Sequence, residues 1–145
     1  EALAGRLDGA RVLDLGSGSG VLSFVAEGLG ARRVLGVEIE REAALLGGAN
    51  RTLNRSDVWL VAGTIDGLAP DRRFDVIVAN VLAARLLPLL PALAARLAAG
   101  GRLVLSGALV AEEERVRAAA VACDLSVVGR WSEGEWLAVL LAGGA

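Results

Sequence analysis

Short apolar runs alternate along this chain with longer segments of mixed polarity, and the alternation predicts its secondary structure. The apolar runs predict five strands: Arg11–Leu15, Arg33–Val37, Val58–Ala62, Phe74–Ala79 and Arg102–Ser106. The segments between and after them predict four helices: Ser19–Gly28, Glu40–Leu53, Leu82–Ala98 and Val110–Ala122. Strands that are apolar throughout and alternate with helices are typical of a mostly parallel sheet with both faces covered.

Two prolines and a C-terminal pair of apolar segments change the predicted elements. Pro88 and Pro91 lie inside the third predicted helix and are expected to break it near Leu87, because proline removes a helical hydrogen bond and clashes with the preceding turn. Near the C-terminal end, the apolar segments 125–131 and 136–142 flank the sequence SEGE. They predict a hairpin of two closing strands, which adds an antiparallel edge to the sheet.

The composition supports a single domain over residues 1–145. A chain of 145 residues is long enough to bury one core, which here is built from Val, Leu and Ala because hydrophobic residues make up 54% and aromatic residues only 3%. Trp59 in the third predicted strand is expected to pack in that core or against a helix. The segment 76–99 has the average hydropathy of a membrane span, but Asn80, Arg85 and two prolines interrupt it, so no membrane association is expected.

Charge and missing residue types exclude several functions. The net charge of -2 argues against direct contact with nucleic acid, which usually requires a basic surface. The chain contains no His and therefore has neither an imidazole base nor a histidine metal ligand. Cys123 is the only cysteine, which excludes an internal disulfide and fits a reducing compartment. We expect a cytoplasmic monomer with no metal site.

The sequence VLDLGSGSG, residues 12–20, marks the candidate site. In a parallel α/β sheet, ligands bind beyond the carboxyl ends of the strands, where this loop follows the first predicted strand. Gly16, Gly18 and Gly20 allow a sharp turn and a close approach of the backbone to a ligand. Their spacing is G-x-G-x-G, whereas dinucleotide dehydrogenases have G-x-G-x-x-G. Asp14 precedes these glycines. Its carboxylate is expected either to order the loop by accepting hydrogen bonds from the N–H groups of the loop, or to face a cationic ligand.

A second acidic residue narrows the choice of ligand. Glu38 ends the second strand region 18 residues after Gly20, and an acidic side chain there can accept hydrogen bonds from both hydroxyls of a ribose. The alternative for Glu38 is a favourable charge at a helix N-terminus, which suits Glu40 better. No Lys, Ser or Thr of a phosphate-binding loop follows the glycines. A ligand with a ribose, a positive centre and no phosphate matches these groups, and S-adenosylmethionine has that description.

Several segments together resemble the class I S-adenosylmethionine-dependent methyltransferases in order and spacing. They are VLDLGSGSG, GVEIE, FDVIVAN and AAGGRLVLSG, and they span nearly the whole chain. Within that superfamily, five segments resemble the catalytic domain of the PrmA family of bacterial ribosomal protein methyltransferases: GVLSFVAEGLGARRVLGVEIE, ANRTLN, VANVLA, LSGAL and EGEWLAVLL. The most specific is NVLA, which begins at Asn80 and stands where that family has an Asn-x-Leu-Ala motif.

The resemblance implies a Rossmann-like three-layer α/β/α sandwich, with a mostly parallel seven-stranded sheet and an antiparallel C-terminal hairpin. It implies S-adenosylmethionine as cofactor and an amine nitrogen of a large-subunit ribosomal protein, on a lysine or the N-terminus, as methyl acceptor. That family also carries an N-terminal substrate-docking domain and a Gly-Thr-Gly-His segment that closes over the cofactor. Both are expected to lie outside this chain, which would then be the methyltransferase domain alone.

The resemblance also implies roles for individual residues. The residues implied at the methionine end of the cofactor are Asp14, Gly16, Ser17, Gly18 and Gly20. Those implied at the ribose and adenine are Glu38, Ile39, Gly63, Thr64 and Ile65. Asn80 would face the transferred methyl group and the incoming amine, as the catalytic residue. The alternative for Asn80 is that it caps a helix beginning at Val81.

Other functions remain open at this point. A small-molecule or RNA methyltransferase would have the same fold, and fold alone does not separate these substrates. A cofactor-binding domain that transfers nothing is another possibility. An NAD-binding oxidoreductase is disfavoured by the glycine spacing and by Asp14.

Overall fold

The computed structural model describes residues 7–143, which contain seven strands and five α-helices. The strands are β1 (Arg11–Leu15), β2 (Arg33–Glu38), β3 (Trp59–Ala62), β4 (Phe74–Asn80), β5 (Leu97–Leu109), β6 (Leu125–Glu133) and β7 (Trp136–Gly143). The helices are α1 (Val21–Gly28), α2 (Arg41–Asn54), α3 (Ala83–Leu86), α4 (Leu90–Ala94) and α5 (Glu113–Val121). The predicted alternation of strand and helix is therefore confirmed.

All seven strands belong to one sheet in the order β3-β2-β1-β4-β5-β7-β6. The first five are parallel to their neighbours, and β7 runs antiparallel between β5 and β6. The mostly parallel sheet with an antiparallel C-terminal hairpin is thus as predicted. Since β1 pairs with β2 on one side and β4 on the other, the chain changes direction across the sheet at β1, and ligand sites form at such a switch point.

The alternation of side chains along each strand builds two cores, one on each face of the sheet. On one face, Leu13, Ile77 and Leu103 are fully buried beneath α3, α4 and α5. On the other face, Val12 and Val76 pack with Ala26 of α1 and its neighbours. Because both faces of the sheet are covered, a ligand site can form only at the loops that lie at the two ends of the strands.

Several boundaries differ from the predictions, and two of these differences have a clear physical cause. The first helix begins at Val21 instead of Ser19, because Gly20 precedes it with a φ of 87° that a helix cannot contain. The third predicted helix is broken at the prolines, as expected, but it ends at Ala94 instead of Ala98. Its last residues belong to β5 because Leu97 pairs with Phe74 in the sheet, and this pairing outweighs the helix propensity of the alanines.

The interpretation of Trp59 as a core residue is wrong. β3 is an edge strand of the sheet, and Trp59 is 63% exposed there. The residues of 7–143 include no helix with the length and apolar character needed to cross a bilayer.

Candidate functional site

The predicted site residues converge at the carboxyl-end edge of the sheet. Leu15, Glu38 and Asn80 end β1, β2 and β4, which are parallel neighbours, so the loops that follow them lie side by side. The loops after β1 and β4 touch, since a Cβ placed on Gly16 would come within 2.7 Å of Cγ2 of Val81. The glycine loop and the region of Asn80 therefore form one continuous surface.

The glycine loop is held in place by the end of β2. The carbonyl oxygen of Val37 accepts hydrogen bonds from the N–H groups of Gly16, at 2.8 Å, and Ser17, at 3.2 Å. The carbonyl of Ser17 then accepts from the N–H of Gly20, at 2.7 Å, which closes the turn into α1. Backbone hydrogen bonds therefore hold the loop in a defined turn, in which the side chain of Ser17 is buried.

Glu38 joins the glycine loop to α2. Its side chain is largely buried, and its Oε2 accepts a hydrogen bond from the N–H of Gly18 at 2.8 Å. Its Oε1 accepts from the N–H of Glu40, which precedes α2, at 2.9 Å. Each carboxylate oxygen has two lone pairs, so both retain capacity to accept from a ligand hydroxyl. Glu40 is the residue at the N-terminus of α2, as the sequence indicated, and Glu38 accepts its N–H from the end of β2.

Asp14 is partnered by a residue that the sequence analysis did not single out. The Asp14 side chain is 1% exposed, and its Oδ2 accepts a hydrogen bond from Oγ of Ser23 at 2.7 Å. The alternative that Asp14 orders the loop through its N–H groups is wrong, because the loop N–H of Gly18 goes to Glu38. Burial raises the pKa of Asp14, and hydrogen bonding from Ser23 opposes that rise. Within residues 7–143, Oδ1 of Asp14 has no hydrogen-bond donor.

The residues predicted near the adenine divide into two groups. Ile39 is 67% exposed, Thr64 is exposed, and the N–H of Gly63 donates to the carbonyl of Glu38 at 2.8 Å, which brings these residues together. Ile65, in contrast, is 1% exposed and packs in the hydrophobic core. Any contact of Ile65 with a ligand would therefore have to come from its backbone.

Asn80 is exposed at the end of β4, beside the glycine loop. The alternative that it caps a helix beginning at Val81 is wrong, because α3 begins at Ala83 after Leu82, with no side-chain cap. Its Oδ1 lies against the backbone of Gly107, where a Cβ would come within 3.2 Å of it. The Asn80 side chain forms no hydrogen bond within the part of the chain that the structure describes. Its amide is thus free to bind a ligand.

α2 contributes two residues that the sequence analysis did not assign. Nδ2 of Asn50 donates a hydrogen bond to the carbonyl of Ser19 at 3.0 Å. Gly47 lies so close to the loop that a Cβ there would come within 2.8 Å of the carbonyl oxygen of Gly18. The signal in the sequence was a glycine and an asparagine three residues apart, which places them on one face of the helix.

The geometry fits the chemical groups of S-adenosylmethionine. Within residues 7–143, Oδ1 of Asp14 is a buried acceptor without a donor, which suits the ammonium of the methionine part. A Cβ on Gly18 would meet only the carbonyl oxygen of Gly16 among the described residues, at 4.0 Å, so a ligand can approach the backbone there. A groove of about 500 Å³ also opens at the opposite edge of the sheet, beside Arg11, Asp57 and Arg73, and none of the predicted site residues lines it.

This sheet order, with a glycine loop after β1 and an acidic residue ending β2, defines the fold of the class I S-adenosylmethionine-dependent methyltransferases. Residues 3–142 match the family model described as ribosomal protein L11 methyltransferase (PrmA). The chain belongs to this family.

Relatives and solved structures agree with that assignment. The chain is 45% identical over 126 residues to a ribosomal protein L11 methyltransferase of Geobacter sulfurreducens, covering 87% of this chain and 42% of the relative. It is 43% identical over 140 residues to the protein of that name from Xylella fastidiosa, covering 93% and 44%. The chain therefore spans less than half the length of these relatives.

Two solved structures are similar in fold. A ribosomal protein L11 methylase from Lactobacillus delbrueckii subsp. bulgaricus matches with a TM-score of 0.92 and 28% identity, covering 99% of this chain and 75% of that one. A 16S rRNA N2 G1207 methyltransferase of T. thermophilus, solved with AdoMet and guanosine, matches with a TM-score of 0.80 and 24% identity, covering 99% and 41%. The second likeness shows the fold alone.

Proposed function

We propose that this chain is the catalytic domain of an enzyme that transfers a methyl group from S-adenosylmethionine to an amine nitrogen of ribosomal protein L11. Family membership and the names of the relatives support the substrate. The observation that carries the proposal is the position of Asn80. Its amide is exposed, forms no hydrogen bond within residues 7–143, and adjoins Val81, which contacts the glycine loop.

Different residues of the site are assigned to different parts of the cofactor. Asp14 would hold the ammonium of the methionine part, and Glu38, which keeps Gly18 in place, would hold the ribose hydroxyls. Ile39, Gly63 and Thr64 would contact the adenine. When bound, S-adenosylmethionine supplies a methyl group on a sulfonium, which is a leaving group that requires no acid.

Asn80 positions the acceptor. Its side-chain oxygen and its backbone carbonyl accept hydrogen bonds from the neutral amine, which turns the nitrogen lone pair towards the methyl group. An amine protonated at neutral pH must lose a proton before it attacks, and this chain offers no imidazole to accept that proton. Most of the acceleration then comes from holding the two reactants in line at close distance.

The test is methyl transfer from S-adenosylmethionine to purified L11 by this chain and by Asn80→Ala. We expect kcat to fall by about 100-fold in the variant, because positioning accounts for several kcal/mol of the barrier. The affinity for S-adenosylhomocysteine should change by less than about twofold, since the contact implied for Asn80 is with the methyl group, which this ligand lacks. Asn54→Ala removes an exposed asparagine of α2 and should leave both quantities unchanged.

Mass spectrometry of the product distinguishes the acceptors. A gain of one or more methyl groups on lysines or on the N-terminal amine of L11 supports the proposal. Methylation of RNA or a small molecule in place of L11 would refute the substrate, and a variant that loses cofactor affinity along with activity would refute the role of Asn80.

A further inference from the structure

Ser23 and Asp14 form a buried polar pair between α1 and the end of β1. Ser23 lies in the first turn of α1, whose sequence is VLSFVAEG, and its side chain is 0% exposed. Its Oγ donates a hydrogen bond of 2.7 Å to Oδ2 of Asp14, which is 1% exposed. A buried hydroxyl–carboxylate bond of this kind fixes the rotation of the carboxylate, because turning it would leave a polar atom without a partner.

The two oxygens of Asp14 have different surroundings. Oδ2 is partnered by Ser23, whereas Oδ1 is buried and lacks a donor within residues 7–143. An unpaired buried carboxylate oxygen is costly, and a native structure normally has a reason for one. Asp14 lies two residues before Gly16, the first glycine of the loop. A cationic group of a ligand bound at the loop would supply the hydrogen-bond donor that Oδ1 lacks.

We propose that Ser23 is a positioning residue that orients the Asp14 carboxylate, so that Oδ1 accepts the ammonium of the cofactor's amino-acid part. This inference rests on the proposed function, because it takes S-adenosylmethionine as the ligand. Within residues 7–143, the hydrogen bond of the Ser23 hydroxyl goes to Asp14, and Ser23 acts through it. The pair makes the site selective for ligands that carry the amino acid over nucleosides that lack it.

The experiment compares two ligands by calorimetry. S-adenosylhomocysteine carries the amino-acid part, whereas 5′-methylthioadenosine has the same adenine, ribose and sulfur without it. Ser23→Ala should lower the affinity for S-adenosylhomocysteine by about tenfold, as expected for a hydrogen bond to a charged group. The affinity for 5′-methylthioadenosine should change by less than about twofold, since Asp14 does not contact that ligand.

Ser56→Ala is the matched control. Ser56 is also a buried serine that donates to a carboxylate, at 2.6 Å to Oε2 of Glu27, but it precedes β3 at the opposite edge of the sheet. Its loss should lower the melting temperature and leave both affinities unchanged. If Ser23 served only the stability of the fold, Ser23→Ala would behave like this control.

A second variant covers the case in which Ser23→Ala does not fold. Ser23→Cys keeps nearly the same volume but is a weak donor, so it should show the same selective loss for S-adenosylhomocysteine. In an Asp14→Asn background, Ser23→Ala should have no further effect, because Ser23 acts through Asp14.

The outcomes separate this inference from the proposed function. A selective loss for S-adenosylhomocysteine supports the role of Ser23. An equal loss for both ligands, or no loss for either, overturns it while leaving the cofactor site intact. A wild-type chain that binds neither ligand would overturn the proposed function itself.

Discussion

At the scale of single residues, Glu38 has a structural role beside the binding role that we propose for it. Its two oxygens accept hydrogen bonds from the N–H groups of Gly18 and Glu40, so the carboxylate ties the glycine loop to the start of α2. The same oxygens retain the lone pairs that a ribose would need. In the proposed function, ligand binding and loop geometry are therefore linked through Glu38.

Gly16 is a position of the loop that does not accommodate a side chain. It has a φ of 74°, and a Cβ there would come within 2.7 Å of Val81. Gly16→Ala should therefore destabilise the chain by about 2 kcal/mol and displace the loop. Calorimetry should show a weaker affinity for S-adenosylhomocysteine, by at least about tenfold.

The control for Gly16 is Gly48 of α2, where a Cβ would meet nothing within 4 Å. Gly48→Ala should raise the melting temperature slightly, because alanine favours a helix by about 1 kcal/mol over glycine. It should not change ligand affinity. Equal affinities for the wild type and Gly16→Ala would show that the loop geometry does not matter for binding.

Prediction of individual residues succeeded where a strand end fixes the position. Asp14, Glu38 and Asn80 were placed at the carboxyl-end edge from the sequence, and they lie there. The hydrogen-bond partners of these side chains were not predictable, because the partners come from other elements of the fold. Ser23 reaches Asp14 from α1, and Glu38 takes the loop N–H that the sequence offered to Asp14.

At the scale of elements, α2 acts as a brace for the glycine loop. Gly47 lets the helix approach the carbonyl of Gly18, and Asn50 donates to the carbonyl of Ser19. Together these contacts fix the outer side of the loop, while Val37 fixes its inner side through hydrogen bonds to Gly16 and Ser17.

Removing the hydrogen bond between α2 and the glycine loop should weaken binding of S-adenosylhomocysteine without unfolding the chain. Asn50→Ala loses one hydrogen bond, which is a cost of about 1 kcal/mol and an affinity loss of about fivefold if the bond orders the loop. Asn54→Ala, four residues along the same helix, removes only an exposed bond to the backbone and is the control. The two variants should differ in titrations with S-adenosylhomocysteine, and identical affinities would show that α2 does not order the loop.

Element types were predictable from periodicity, and their ends were not. The two prolines placed the break after α3, but the start of β5 at Leu97 depends on pairing with Phe74, which lies more than twenty residues away. The start of α1 depends on the left-handed backbone of Gly20. Sheet pairing and loop conformation, which local sequence does not encode, decide these boundaries.

At the scale of the whole molecule, the sheet order brings the site together. The glycine loop, Glu38 and Asn80 are far apart in sequence, but they follow adjacent strands because β1 lies between β2 and β4. The mostly parallel sheet and the antiparallel hairpin were predictable from the alternation of elements. The exposure of Trp59 was not, because the sequence does not show that β3 is an edge strand.

In the proposed function, the carboxyl-end edge of the sheet binds S-adenosylmethionine through the glycine loop and Glu38. The most direct test is calorimetric titration of S-adenosylhomocysteine into this chain, Glu38→Ala and Glu40→Ala. Glu40 is the matched control, since its substitution keeps the backbone N–H that Glu38 accepts. We predict binding by the wild type and by Glu40→Ala, and an affinity at least about tenfold weaker for Glu38→Ala, or about 1.4 kcal/mol. A wild-type chain that does not bind, or a folded Glu38→Ala variant that binds equally well, would contradict the account.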